Sequence, residues 1–166
     1  MDLVSEVDIR LATIADAPAI APFHLACWHA AYSGLVPQDF LDHLDRQDRA
    51  QRWRERLGAP HDTTFIAVVA ETIVGLATVG PSAEQPPLPA TELRSLYVDA
   101  GHHGTGLAHR LVGLAVADRA ASLWVFEENA RARAFYARTG WRPTGQRRID
   151  RGTRIAELQL ARGSVG

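Results

Sequence analysis

The residues best suited to chemistry stand in the run Leu96-Tyr97-Val98-Asp99-Ala100-Gly101-His102-His103-Gly104-Thr105-Gly106-Leu107-Ala108. It reads as a strand end, a glycine-bearing turn and the first turn of an amphipathic helix. That order aims free backbone N–H groups and the positive end of a helix dipole at one point, which is the chemistry of a phosphate site. A Walker A loop needs Gly-Lys-Ser/Thr, and no lysine occurs here. A dinucleotide fingerprint needs a third glycine, but Gly104 and Gly106 are followed by His109, and the turn comes after four antiparallel-type strands. Two readings stay open: a pyrophosphate held by consecutive amides from His103 to Ala108, or a plain tight connection between strand and helix.

A second segment, Asn129-Ala130-Arg131-Ala132-Arg133-Ala134-Phe135-Tyr136-Ala137-Arg138-Thr139-Gly140-Trp141, opens 26 residues after His103. It follows the next strand, so one βαβα unit brings the two segments together. With both in view, the chain resembles the GNAT superfamily of N-acetyltransferases. The turn is similar to that family's Arg/Gln-x-x-Gly-x-Gly/Ala signature, with His103, Gly106 and Ala108 in the three positions. The later segment is similar to its Asn-x-x-Ala-x-x-Phe-Tyr-x-x-x-Gly-Phe pattern at Asn129, Ala132, Phe135, Tyr136 and Gly140, with Trp141 in place of the phenylalanine. His103 departs from the family's Arg or Gln. The change is mild if the position works through its N–H and matters if the side chain meets phosphate.

The resemblance implies transfer of an acetyl group from acetyl-CoA to a primary amine of a small molecule or peptide, by direct attack in a ternary complex. It places the pantetheine arm along Leu96, Tyr97 and Val98, where that strand splays from Ser122–Phe126. It places the pyrophosphate on the turn formed by His103, Gly104, Thr105, Gly106, Leu107 and Ala108, with Asn129, Phe135 and Tyr136 completing the cofactor side. A backbone N–H near Val98 would stabilise charge developing on the thioester carbonyl. Tyr136 holds the position of the acid that protonates the leaving thiolate; as a residue, it also reads as a helix tyrosine packed beside Phe135. Glu92 stands where relatives keep a carboxylate for the amine, and equally reads as a strand acid paired with Arg94. The family's other base position falls near Trp124, which cannot take a proton.

Trp28 and Tyr32 are expected on the acceptor side, with His29 between them as an outside candidate for the base. The other histidines of the seven, His24 and His102 among them, read as surface or packing residues. Arg131 or Arg133 could approach the 3′-phosphate of CoA, although both also fit a solvated helix face. Cys27 sits on an apolar helix stripe and reads as packing. A non-catalytic acyl-CoA-binding sensor is the alternative function; the presence of Tyr136 and Glu92 favours the enzyme. A nicotinamide- or flavin-dependent oxidoreductase is disfavoured by the missing glycine.

The elements needed to position these residues are legible from periodicity. Val7 to Leu11 alternates as a strand, and Thr13 to Asp16 has capping-box spacing ahead of a helix that Pro22 should kink. Pro37 begins a second helix, in which Asp45 is a further candidate cap and break point, and Gly58 stops it. Strands follow at Thr64 to Ala70 and Ile73 to Val79, turned by Glu71-Thr72, then a loop at Pro81 to Pro89 and a strand at Thr91 to Val98. A helix over Gly104 to Ala121 should bury Leu107, Leu111, Leu114 and Ala115. Then come a strand at Ser122 to Phe126, a helix over Asn129 to Thr139, and a hairpin of Arg142 to Ile149 with Thr153 to Leu160. The expected fold is α/β (α+β): a mixed, mostly antiparallel sheet of about seven strands with helices on both faces, in the order βααβββαβαββ.

The 166 residues fit one acetyltransferase domain spanning 1–166 with its core in 7–162. A net charge of −1 argues against a broad grip on nucleic acid or an anionic membrane. One cysteine excludes an internal disulfide and a CxxC metal site, and no metal is expected. With no membrane-length apolar run and no basic leader at the N-terminus, a cytoplasmic location is expected. Relatives suggest a homodimer.

Overall fold

The computed structural model describes residues 6–83 and 89–163. Most of the expected loop at Pro81 to Pro89 therefore lies outside the described residues. The elements are β1 (Asp8–Leu11), α1 (Ala17–Tyr32), α2 (Gln38–Asp42), α3 (Arg46–Gly58), β2 (Thr63–Val69), β3 (Thr72–Pro81), β4 (Thr91–Val98), α4 (Leu107–Val116), β5 (Ala121–Phe126), α5 (Ala130–Arg138), β6 (Arg142–Ile149) and β7 (Ala156–Arg162). They form one seven-stranded sheet in the order β1-β2-β3-β4-β5-β7-β6. All neighbouring pairs are antiparallel except β4 with β5. This is the mixed sheet expected from the sequence.

Alternation along the strands sends side chains to two separate cores. On one face, Ala67, Ala77, Leu93, Leu123, Val125 and Leu160 pack against α4 and α5. On the other, Ile66 and Leu76 pack with Ile20 of α1 and Trp53 of α3. A smaller cluster joins Val36, Leu41 and Phe126 to Trp28, Tyr32 and Phe40.

Local chemistry accounts for the element ends, including those that differ from expectation. The Thr13 amide donates to Asp16 at 2.7 Å, closing a single 3₁₀ turn ahead of α1, which then runs as helix through Pro22. The expected break at Asp45 is real: its carboxylate accepts from the Gln47 amide at 2.9 Å and starts α3 as a separate helix. The β2–β3 turn is centred on Ala70 and Glu71, one residue earlier than Glu71-Thr72. Both have positive φ, the backbone a two-residue turn needs to match the twist of its strands.

Helix α4 is shorter than Gly104 to Ala121 at both ends. Gly106 at φ +85° and Ala117 at φ +53° leave helical geometry and bound it. Its buried stripe is Leu107, Leu111 and Ala115, flanked by Val112 and Val116, whereas Leu114 is half exposed. The stripe therefore turns toward the valines and away from Leu114. The last strand starts at Ala156, three residues after Thr153, because Asp150 accepts from the Thr153 amide and hydroxyl, both at 2.8 Å, and extends the turn.

Candidate active site

Parallel strands β4 and β5 pair only at Thr91–Ala121 and Glu92–Ser122, and then diverge. The diverging strands split the sheet and open a cleft of about 980 Å³ that reaches residues on both faces. On the face of α4 and α5 it is lined by Leu96, Val98, His103, Gly104, Gly106, Leu107, Ala108, Asn129, Phe135 and Tyr136. On the opposite face it is lined by Trp28, Tyr32, Tyr97, Trp124, Phe126 and Glu157. Because β4 leaves β5 after Glu92, its β5-facing edge beyond that point is open to a strand-like ligand.

The turn after β4 is built from its own side chains. Asp99 accepts from the Gly101 amide at 3.1 Å and contacts His102 Nδ1 at 3.3 Å. His103 donates from Nε2 to the Val98 carbonyl at 2.9 Å, and its amide donates to Ala100 at 3.2 Å. The His103 ring therefore closes the loop onto the strand end and occupies the Val98 carbonyl. The Thr105 amide is also used, toward the His102 carbonyl at 3.4 Å. Of the consecutive donors anticipated from His103 to Ala108, the amides left without a bond among the described residues are those of Gly104, Gly106, Leu107 and Ala108. Leu107 and Ala108 begin α4, so the helix dipole reinforces them.

Gly104 and Gly106 have φ of +76° and +85°, with nothing within 4 Å of where a side chain would start. The left-handed backbone favours glycine, whereas the open space would admit a Cβ, so a side chain there would meet only a ligand crossing the turn. Gly106→Val should therefore weaken CoA binding by tenfold or more, and left-handed strain should cost about 1–2 kcal/mol of stability. Melting curves with and without CoA separate the two effects. Undiminished affinity would mean that the ligand does not cross Gly106.

The α5 segment supplies the other donor-side wall. Asn129 accepts from the Ala132 amide at 3.2 Å and caps the helix while lining the cleft. Tyr136 is 8% exposed, packed on Phe135 at 5.4 Å and Trp141 at 5.7 Å between ring centroids. Its hydroxyl makes no hydrogen bond among the described residues. Burial, followed by repulsion from Tyr97, raises the phenol pKa far above its ordinary value. Arg131 and Arg138 line the cleft, whereas Arg133 is directed to the Glu127 carbonyl at 2.9 Å.

The opposite face is an aromatic wall. Trp28 donates to the Tyr97 hydroxyl at 2.9 Å and lies edge-on to Tyr32 at 4.7 Å. Tyr32 in turn lies edge-on to Phe126 at 4.9 Å. The Tyr32 hydroxyl is pushed well above its ordinary pKa, first by burial and then by Tyr97, Tyr136, Glu157 and Cys27. Those four groups thus converge from both halves of the cleft. Cys27 lines it too, its thiol pushed up to about 12 by burial and by Asp99.

Three candidates from the sequence lie outside the lining. His29 is exposed on α1, although Trp28 and Tyr32 line the cleft. Thr105 turns its hydroxyl back to the His102 carbonyl at 2.6 Å. Glu92 sits at the closed end of the fork, 3.6 Å from Arg94. Conversely, Glu157 and Asp150 line the cleft although no sequence motif marks them. No group of side chains suited to a metal ion occurs among the described residues.

Comparison with known proteins bears on the family and the fold. An uncharacterized N-acetyltransferase of Mycobacterium tuberculosis is 30% identical over 152 residues, covering 88% of this chain and 85% of its own length. Among solved structures, the PaiA N-acetyltransferase of Thermoplasma acidophilum, in complex with coenzyme A, superposes with a TM-score of 0.77 at 15% identity. The match covers 96% of this chain and 99% of that one. A structure of histone acetyltransferase HPA2 and related acetyltransferase from Corynebacterium glutamicum gives a TM-score of 0.72 at 22% identity, over 96% and 97% of the two chains. The sequence matches the Acetyltransferase (GNAT) family over residues 28–141, and the chain belongs to that family.

Proposed function

We propose that the protein transfers the acetyl group of acetyl-CoA to a primary amine within a ternary complex. The observation that carries this reading is the forked sheet. The open edge of β4 leads into a turn with four unpaired amides on one face, while an aromatic pocket faces the same gap from the other. Free N–H groups at a helix start suit a pyrophosphate. The strand edge suits the amide-bearing pantetheine arm, with Leu96 and Val98 beside it. A thioester lying in the fork is then open to attack from the side of Trp28 and Tyr32.

Tyr136 is the acid for the leaving thiolate in this reading. It is buried and protonated, it lines the donor side, and its hydroxyl is not committed to a partner among the described residues. A CoA sensor without turnover would use the same cradle but would have no need of a proton donor in the gap. Thermal unfolding tests the cofactor directly: CoA at 100 times its dissociation constant should stabilise the protein by about 2.7 kcal/mol, with NAD giving no shift. CoA release measured across a panel of primary amines then separates enzyme from sensor. Turnover with none of them would support the sensor, and no CoA shift would remove both.

A further inference from the structure

The amine must lose a proton before it attacks, and β5 supplies no group for this, since Trp124 and Phe126 are what it presents toward the acceptor pocket. The neighbouring strand does. Antiparallel register sets Phe126 opposite Glu157 and Trp124 opposite Gln159, and directly paired residues share a face. Glu157 therefore stands beside Phe126, and it lines the cleft although it is 9% exposed. Arg148 of β6 donates Nε to Glu157 Oε2 at 2.7 Å, while its guanidinium stacks on Trp124 at 4.1 Å. Oε1 takes no hydrogen bond among the described residues. Resting on the acetyltransferase reading, we infer that Glu157 Oε1 receives the acceptor's ammonium group, and that the acceptor is a cationic primary amine on an apolar carrier.

The surroundings favour this occupant. Trp28, Tyr32, Trp124 and Phe126 offer apolar and π surface, on which an organic cation is favoured. The charged groups at this end are the carboxylates of Glu157 and Asp150 and the Arg148 guanidinium, which is already committed to Oε2 and Trp124. The groups facing Glu157 are Arg148 from β6, Asp150 from the turn after it and Tyr32 from α1. Burial first, with the Asp150 charge, raises the Glu157 pKa against the opposing hydrogen bond and charge of Arg148, which brings the carboxylate nearer in basicity to an amine.

The proton balance is complete. An N–H bond of the ammonium breaks and its proton goes to Oε1. The freed nitrogen pair forms the bond to the acetyl carbon, the C–S bond breaks, and the thiolate takes the Tyr136 proton. The second N–H proton leaves to water, water re-protonates Tyr136, and Glu157 returns its proton to solvent, so each turnover releases one proton.

The probe is phenethylammonium, titrated calorimetrically into protein saturated with CoA, beside its neutral isostere 2-phenylethanol. The expected result is tighter binding of the ammonium than of the alcohol, with at least a tenfold loss of ammonium affinity in Glu157→Gln and partial recovery in Glu157→Asp. Arg148→Met should keep most of the affinity, because it removes the ion pair and leaves the carboxylate. Equal affinity in wild type and Glu157→Gln, no ammonium binding by wild type, or equal losses in Glu157→Gln and Arg148→Met would each overturn the inference. The last result would mean that Glu157 only anchors β6. A CoA-induced melting shift in the same wild-type samples shows independently whether the acetyltransferase reading stands. Acetylation of the probe is also readable without lysine background, since the chain contains no lysine.

Discussion

Tyr136→Phe should lower kcat by about 100-fold while leaving the KM for acetyl-CoA within a few-fold of wild type. The substitution keeps the ring that packs on Phe135 and Trp141, so the fold has no reason to change. What it removes is one proton donor. A free thiol has a pKa of about 8.5 and a free phenol about 10, which would make the donor somewhat too weak in water. Burial raises the Tyr136 phenol, and a thiolate departing in the same dry cleft would be raised in the same direction. Since the phenol is protonated throughout the neutral range, the loss should be uniform with pH. Steady-state kinetics from pH 6 to 9 check both points. Unchanged turnover would remove Tyr136 from the reaction, and a loss confined to high pH would show that it acts as a titrating base.

The donor half of the cleft was readable because it is local. The strand, glycine turn, helix start and Asn129 cap are consecutive pieces of chain, and their residue types dictate backbone geometry directly. Even there, which amides remain free depends on bonds that no motif announces. His103 spends its ring on Val98, and Thr105 spends its amide on His102. The acceptor half was less legible because it is assembled from distant strands. Trp124 stands where the family keeps a carboxylate on β5, and only the register of β5 with β7 brings Glu157 beside Phe126 at the same end. His29 became a candidate only by sharing a helix with Trp28 and Tyr32, and the turn of α1 against β4 leaves it outside the cleft. The helix break at Asp45 was visible because a cap is a one-residue signal. The half-exposed Leu114 was not, because the stripe a helix buries depends on what it packs against.

Below pH 6.5 the protein should lose up to about 1.4 kcal/mol of stability for each pH unit, as one group, His24, comes under protonation pressure. His24 lies 7% exposed between α1, α3 and β4, with its ring 4.8 Å from Tyr97 and 5.6 Å from Trp53. Trp53 donates to its Nδ1 at 3.1 Å, which fixes the proton of the neutral ring on Nε2, a buried atom without a partner. Burial, then the positive charges of Arg49 and Arg56, lower its pKa from 6.5 to about 3. Between those values the unfolded chain holds a proton that the folded one excludes, so stability rises with pH across this window and falls as acid is added.

Asp16 acts in the same direction but only at lower pH, its carboxyl being held down to about 2 chiefly by the Arg10 hydrogen bond. Glu157, with a raised pKa, acts in the opposite direction because its protonation favours the folded state. Urea unfolding at intervals from pH 7.5 to 4.5 should therefore show the slope in wild type and a much flatter profile in His24→Gln. Glutamine retains an acceptor for Trp53 and cannot take up a proton. An identical slope in the two proteins would assign the acid sensitivity elsewhere. The expected difference would show that this imidazole stays neutral beneath the aromatic wall, where it accepts from Trp53 and packs on Tyr97.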